Sequence, residues 1–150
     1  MIKKILPYAT PITVSSDDRG TFVNFLEKGD KLPDNNLPVK RVYYVYNYAA
    51  GTVRGLHFHE IEWKYFMVVS GAAKIIALDP KNPEKQFVFI SSARKPNLII
   101  IPPHFANGWI SLETNTVLVC ASTSSIEESI KDDKRIDPYK WGDIWTVKGR

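Results

Sequence analysis

From Thr21 to Ala121 the chain repeats one pattern. Short runs rich in valine, isoleucine and aromatic residues are separated by turn residues, and the later runs follow at intervals of about ten positions. Thr21–Leu26, Val39–Tyr48, Lys64–Val69, Lys74–Leu78, Gln86–Ile90, Asn97–Ile101, Gly108–Leu112 and Thr116–Ala121 are such runs. Ala49-Ala50-Gly51 and Ser70-Gly71 supply turn signals, the latter for a tight hairpin, and Asp79–Pro83 reads as a loop. Many short strands at this spacing predict an all-β fold, a jelly roll or closed barrel, rather than alternating strands and helices. One short helix is expected late, from the capping-box sequence Ser125-Ile126-Glu127-Glu128 to Lys131. The aromatic segment from Asp137 to Trp145 is expected to pack across the barrel mouth.

The chain has 150 residues, a length suited to one domain with one sizeable core. An apolar fraction of 44% is a folding composition, not a disordered one. The lone Cys120 excludes an internal disulfide framework, and its apolar neighbours make it a buried strand residue rather than a nucleophile. Net charge is +4, with no lysine or arginine block of the kind that grips nucleic acid. This mild bias suits a small anionic ligand better than a polymer. No apolar stretch approaches the ~20 residues of a membrane helix, and the N-terminus lacks the apolar run of a signal peptide. A cytoplasmic protein is expected.

The densest chemistry lies in Arg54-Gly55-Leu56-His57-Phe58-His59, followed by Lys64. Side chains alternate along a strand, so His57 and His59 face the same way and Phe58 the other. Two imidazoles on one face serve metal binding or acid–base work, and otherwise are satisfied core histidines. The segment resembles the first cupin motif, with Gly51, His57, His59 and Gly71 in register, but Lys64 stands at the glutamate position. The second motif resembles Pro102–Asn107, where Asn107 stands at the third histidine. An ammonium in place of a carboxylate and an amide in place of an imidazole predict that no metal and no other cofactor is used.

Asp18-Arg19-Gly20-Thr21-Phe22, Arg54-Gly55-Leu56-His57, Phe105–Trp109 and the Asp137-Pro138 to Ile144-Trp145 tail occur in this order. Together they resemble the dTDP-4-dehydrorhamnose 3,5-epimerase family of metal-free cupins. The resemblance implies that His57 is a general base held by a tail carboxylate, with Asp137 as first candidate and Asp133 as second. It implies that Arg19 and Arg54 hold a diphosphate, and that Lys64 sits beside the keto oxygen of the sugar. His59 is a further catalytic candidate. Asn107 is expected in the barrel interior, and Phe22, Tyr46 and Trp109 at the mouth, where they can stack on a nucleobase. The resemblance also implies a homodimer with N-terminal strands crossing between subunits.

The chemistry explains the residue types. A ketone acidifies the hydrogens on neighbouring carbons, a neutral imidazole removes one near pH 7, and a cation stabilises the enolate. An acid on the opposite face returns the proton and inverts the centre. The family's acid is a tyrosine just after the last apolar strand, but Ala121–Ser125 contains none, which leaves Tyr44, Tyr46, Tyr48 or Tyr139 as stand-ins. The paired histidines and short chain also resemble the dTDP-sugar 3,4-ketoisomerases. A sugar-nucleotide-binding cupin without turnover is the third reading.

Overall fold

The computed structural model describes residues 4–27 and 38–149. Its strands are β1 (Tyr8–Pro11), β2 (Val14–Asp17), β3 (Gly20–Val23), β4 (Arg41–Asn47), β5 (Val53–Phe58), β6 (Lys64–Ser70), β7 (Ala72–Asp79), β8 (Asn82–Ser92), β9 (Asn97–Ile101), β10 (Ala106–Ser111), β11 (Thr116–Ser122) and β12 (Lys134–Arg135), with one helix, α1 (Ile126–Asp132). Two five-stranded sheets face each other, in the orders β1-β9-β6-β11-β4 and β12-β5-β10-β7-β8. A separate two-stranded hairpin joins β2 to β3. The all-β expectation holds, in the form of a jelly-roll sandwich of two sheets rather than a continuously hydrogen-bonded barrel. The anticipated loop after Asp79 is a tight connection, because β8 already begins at Asn82.

Alternation along each strand divides the apolar residues into three layers. Phe66, Val68, Ala73, Ile75, Ile99, Ile101, Trp109, Leu118 and Cys120 meet between the sheets. The outer face of the first sheet presents Tyr65, Leu98 and Ile100 to Tyr8, Ile12 and Phe25 of the N-terminal segment. On the outer face of the second sheet, Leu56, Ile76, Leu78 and Ile110 pack under Trp141, Ile144 and the fully buried Trp145. The tail therefore covers the back of a sheet, tied to β7 by Lys74 Nζ donating to Ile144 O and Trp145 O at 2.9 and 3.1 Å. Only Arg135, Ile136 and Pro138 reach the cavity rim. Packing a sheet's apolar outer face buries more surface than bridging an open mouth, so tryptophans collect there.

The short helix forms where its capping sequence lies. The Ser125 hydroxyl accepts from Glu128 N, and the Glu128 carboxylate accepts from Ser125 N. Its last residue, Asp132, accepts the backbone N–H groups of Glu60 and Ile61 at 2.9 to 3.1 Å. That clamp delivers the following Asp133 to the end of β5, where β12 then pairs Arg135 with His57 and Lys134 with Phe58.

Candidate functional site

One cavity of about 560 Å³ opens between β4 at the edge of the first sheet and β5 and β10 of the second. Its walls carry the polar side chains of Tyr43, Arg54, His57, Asn107 and Arg135, together with Trp109.

The way β5 meets β10 builds this wall. Asn107 pairs with His57 but Trp109 pairs with Arg54, so two residues of β5, Gly55 and Leu56, stand against Gly108 of β10. Such a bulge shifts the alternation by one. Arg54 and His57, an odd number of positions apart, consequently face the same cavity. Gly55 and Gly108 make the crossing possible, since a Cβ on Gly55 would lie 2.6 Å from Gly108 Cα and one on Gly108 would lie 2.5 Å from Arg54 O. Gly55 also has a φ of +124°, a conformation that other residues rarely adopt.

The His57 side chain is 33% exposed, and its Nδ1 lies 2.9 Å from Asp133 Oδ1. A carboxylate there accepts Nδ1–H and fixes the tautomer with its lone pair on Nε2. Lys64 Nζ, itself buried, lies 3.1 Å from that Nε2. Burial and the neighbouring Lys64 ammonium push the His57 imidazole down to about 4, against the opposing pull of Asp133. The ring is thus neutral over the physiological range, a base rather than an imidazolium. Burial likewise lowers Lys64. Asp133 is held below the usual carboxylate range against its own desolvation, chiefly by the Arg135 guanidinium, whose Nε donates to Oδ2 at 2.7 Å, and then by His57.

Asp133, the second candidate of the sequence, is therefore the imidazole's partner. Asp137, the first candidate, is exposed and accepts Tyr139 N at 2.7 Å in a local turn. An aspartate before a proline serves that turn, whereas Asp133 is carried to His57 by the clamp at the helix end.

His59 shares the side of His57, with ring centroids 5.2 Å apart, yet it does not line the cavity. Its side chain is only 3% exposed, and Glu62 Oε2 lies 3.1 Å from Nδ1 but off the N–H direction, so neither ring nitrogen makes a hydrogen bond. Glu62 is the hub of this closed region. It accepts the hydroxyls of Ser122 and Ser129 at 2.5 and 2.8 Å and an Arg41 N–H at 3.3 Å. Burial and Lys64 hold His59 below its ordinary value. The structure places His59 in this buried cluster, just before bends at Glu60 and Ile61, and not on the cavity wall. Lys64 is buried and meets His57 at Nε2 without itself lining the cavity.

Asn107 donates from Nδ2 to His57 O and Phe105 O, at 3.2 and 3.1 Å, and so ties β10 to the base-bearing strand. Trp109 packs its ring into the core while lining the cavity. Arg54 Nε donates at 2.8 Å to Oδ1 of buried Asn47, whose Nδ2 donates to Thr52 O at 3.1 Å. The guanidinium is aimed by a fixed amide.

Three candidates lie elsewhere. Tyr46 points outward, with its hydroxyl donating to Asn115 at 2.6 Å, because Arg41, Tyr43, Val45 and Asn47 form the inward parity of β4. Tyr44 and Tyr48 share its outward face. Phe22 is 68% exposed on the β2–β3 hairpin. Arg19 sits at the tip of that hairpin and pairs with Asp17. No sequence signal singled out Tyr43, Asn47, Glu62, Asp132 or Arg135.

His57, His59 and Asp133 place donor atoms within 4.8 Å of one another, the start of a cation site. The donor set does not suit one: the Lys64 ammonium already occupies the Nε2 side of His57, and the Asp133 oxygens are taken by His57 and Arg135.

A carboxylate-held neutral imidazole, backed by a buried ammonium and facing a cavity with two arginines on its walls, defines a proton-transfer enzyme for an anionic small molecule. The comparisons agree. A profile described as dTDP-4-dehydrorhamnose 3,5-epimerase matches residues 7–139, and the chain belongs to that family, one of sugar-nucleotide isomerases. It is 26% identical over 142 residues to the spore coat polysaccharide biosynthesis protein SpsL of Bacillus subtilis, covering 90% of this chain and 91% of that one. It superposes on the dTDP-4-dehydrorhamnose 3,5-epimerase of Bacillus anthracis with a TM-score of 0.81 and 24% identity, over 95% of this chain and 86% of that chain. The TDP-quinovose 3,4-ketoisomerase WlaRB of Campylobacter jejuni gives a TM-score of 0.70 and 20% identity, over 87% and 92%.

Proposed function

We propose that the protein epimerises a carbon next to the ketone of a dTDP-linked 4-keto-6-deoxyhexose. The observation that carries this reading is the single imidazole open to the cavity, His57, with Asp133 on one nitrogen and Lys64 on the other. His57 Nε2 takes the acidified C–H proton. Lys64 turns from that nitrogen to the oxygen of the forming enolate, and Asp133 stabilises the imidazolium. Arg54, aimed by Asn47, and Arg135 bind the diphosphate as bidentate donors. Trp109 and Asn107 shape the wall against which the sugar and base rest.

Carbonyl migration between neighbouring carbons calls for two working imidazoles in the resemblance drawn from the sequence. The enclosure of His59 favours epimerisation over ketoisomerisation. The assembly is read as a homodimer: Phe22 and the Arg19 side chain, 86% exposed, stand on a hairpin outside both sheets and suit a partner subunit. A monomer by light scattering at micromolar concentration would count against this. The buried, unpaired Cys120 fits a reducing cytoplasm. Among the described residues no helix is long and apolar enough to cross a membrane.

The test is incubation with dTDP-4-keto-6-deoxyglucose in heavy water, followed by proton NMR, with His57→Ala as control. Deuterium entering at C3 or C5 without carbonyl movement supports epimerisation and names the carbon. Migration of the ketone to C3 establishes the ketoisomerase instead. No exchange, with wild type and variant alike, removes this substrate.

A further inference from the structure

We propose that Arg135 is a positioning residue that joins the two halves of the site: its terminal nitrogens take the diphosphate while its Nε holds Asp133, so that filling the cavity strengthens His57 as a base. This rests on the sugar-nucleotide reading above and deepens it, because it ties the strength of the base to the arrival of the substrate's anionic end.

The backbone brings the three groups together. β12 runs antiparallel to β5, and Arg135 stands opposite His57 in that register. Residues directly opposite on paired strands project to one face, and both of these line the cavity. Two positions back, Asp133 divides its oxygens between them. Oδ1 lies 2.9 Å from His57 Nδ1, and Oδ2 accepts Arg135 Nε at 2.7 Å. A guanidinium carries five N–H donors, of which Nε supplies one. Among the described residues the terminal nitrogens of Arg135 meet no acceptor, and the side chain is 86% exposed at the cavity rim. An ion pair so exposed adds little to stability. The other arginine of the cavity is built the same way on a different anchor. Arg54 also spends its Nε inward, at 2.8 Å, but on the neutral amide of Asn47. Of the two, Arg135 alone is wired to the partner of the base.

The charge of Asp133 is therefore shared. The guanidinium offsets part of it, and what remains supports a proton on His57 against burial and the Lys64 ammonium. A diphosphate on the terminal nitrogens offsets the guanidinium in turn. More of the carboxylate's field then falls on the Nδ1 side of His57, and Nε2 becomes a stronger base as the sugar ketone comes to stand before it. The other groups around the ring lack this link. Lys64 of β6 sits buried at Nε2. His59 Nε2 lies 3.8 Å from Asp133 Oδ1, with Glu62 and Asp132 on its far nitrogen at 3.1 and 3.9 Å, all outside the cavity wall. Tyr43 of β4 and Asn107 of β10 line the cavity as a neutral phenol and a neutral amide. Arg54, on the strand of His57 itself, opposes the imidazolium only through space. A diphosphate acts directly on the ring in the same sense, and the variants below separate that effect from the one carried by Asp133.

The test is an NMR titration of the His57 ring nitrogens, assigned by their loss in His57→Asn, with and without saturating dTDP. In the wild type dTDP raises the His57 midpoint by about one pH unit. Arg135→Gln titrates above the wild type before dTDP is added, and dTDP then moves it by less than about a third of the wild-type shift. Arg54→Gln binds dTDP more weakly but keeps at least about two thirds of the shift at saturation. Turnover reads the same link: the acid limb of kcat stands at higher pH than that of kcat/KM in the wild type, and the two limbs converge in Arg135→Gln. An equal shift in wild type and Arg135→Gln overturns the proposal and leaves epimerisation intact, since the diphosphate then acts on the ring directly. A shift lost equally in Arg54→Gln and Arg135→Gln overturns it as well, and so does a wild-type midpoint that bound dTDP leaves in place. Failure of the wild type to bind dTDP removes the sugar-nucleotide reading, and the coupling with it.

Discussion

His57 lies on β5 and His59 just past its end, two residues apart, and their surroundings differ in what substrate can reach. His57 ends in a cavity, with one nitrogen on Asp133 and the other facing an ammonium. His59 ends in a closed region around Glu62, Ser122, Ser129 and Arg41, without a hydrogen bond of its own. A base needs a lone pair that substrate can reach, and only one of the two rings offers it. The other region holds buried charge together and anchors α1, through Ser129, to the floor of the site. The lesson is that a paired motif divides into a chemical half and a supporting half once one of its members is buried.

This contrast can be broken most directly by exchanging asparagine into each position. His57→Asn is expected to lower deuterium incorporation by about 10³-fold or more. His59→Asn is expected to stay within about tenfold at a temperature where it remains folded. Equal loss in a folded His59→Asn protein would mean that both rings do chemistry. The carboxylates sharpen the same point. Asp133→Asn should reduce turnover by about 100-fold, since the amide leaves the ring in a mixture of tautomers, whereas Asp137→Asn should change it less than about twofold; the reverse order would restore Asp137 as the partner.

The supporting half is tested by stability. Glu62→Ala removes the acceptor of two buried hydroxyls and strands Arg41, and a loss of about 3 kcal/mol is expected. Calorimetry would register that as a melting temperature lower by roughly 6–12 °C. A variant that melts with the wild type would show that the cluster is incidental.

The smallest expected effect is a shift in pH dependence. The folded-state value of His57 is depressed to about 4, so the ring is a competent base at any higher pH. The acid limb of kcat/KM should therefore fall near pH 4, not near 6.5. Lys64→Met removes a charge that opposes protonation, so the residual activity should show a limb moved upward, toward 6.5. The linked stability has the same sign. Between about pH 6.5 and 4 the unfolded chain binds the proton that the folded one refuses, so stability is complete above that window and is lost as pH falls through it. A limb near 6.5 in the wild type would show that neither burial nor Lys64 governs the base.

Much of the fold was legible because strand periodicity and turn residues are local. The runs at Lys64, Lys74, Asn97, Gly108 and Thr116 all begin or lie within strands, and the capping box at Ser125 opens the helix. The cavity residues were legible only in part. Arg54, His57, Asn107 and Trp109 sit in recognisable motifs and do line the cavity. Tyr46 was misplaced because Tyr43 and Tyr44 are adjacent, and aromatic character alone does not say which parity of β4 faces inward. Glu62 carried no signal, since its partners lie 60 and 67 positions away at Ser122 and Ser129.

The sequence by itself determined an all-β chain, the sheet face shared by two histidines and the replacement of two metal-ligand positions by Lys64 and Asn107. The first two follow from alternation, which acts over a few residues, and the third is what the resemblance to the cupin motifs implies. Only the tertiary structure decided that Asp133 rather than Asp137 meets His57, that a bulge turns Arg54 toward the same cavity, and that His59 is buried while Tyr43 faces in. Each of these depends on how separate strands register against one another, and register is set by the packing of whole sheets rather than by any one segment.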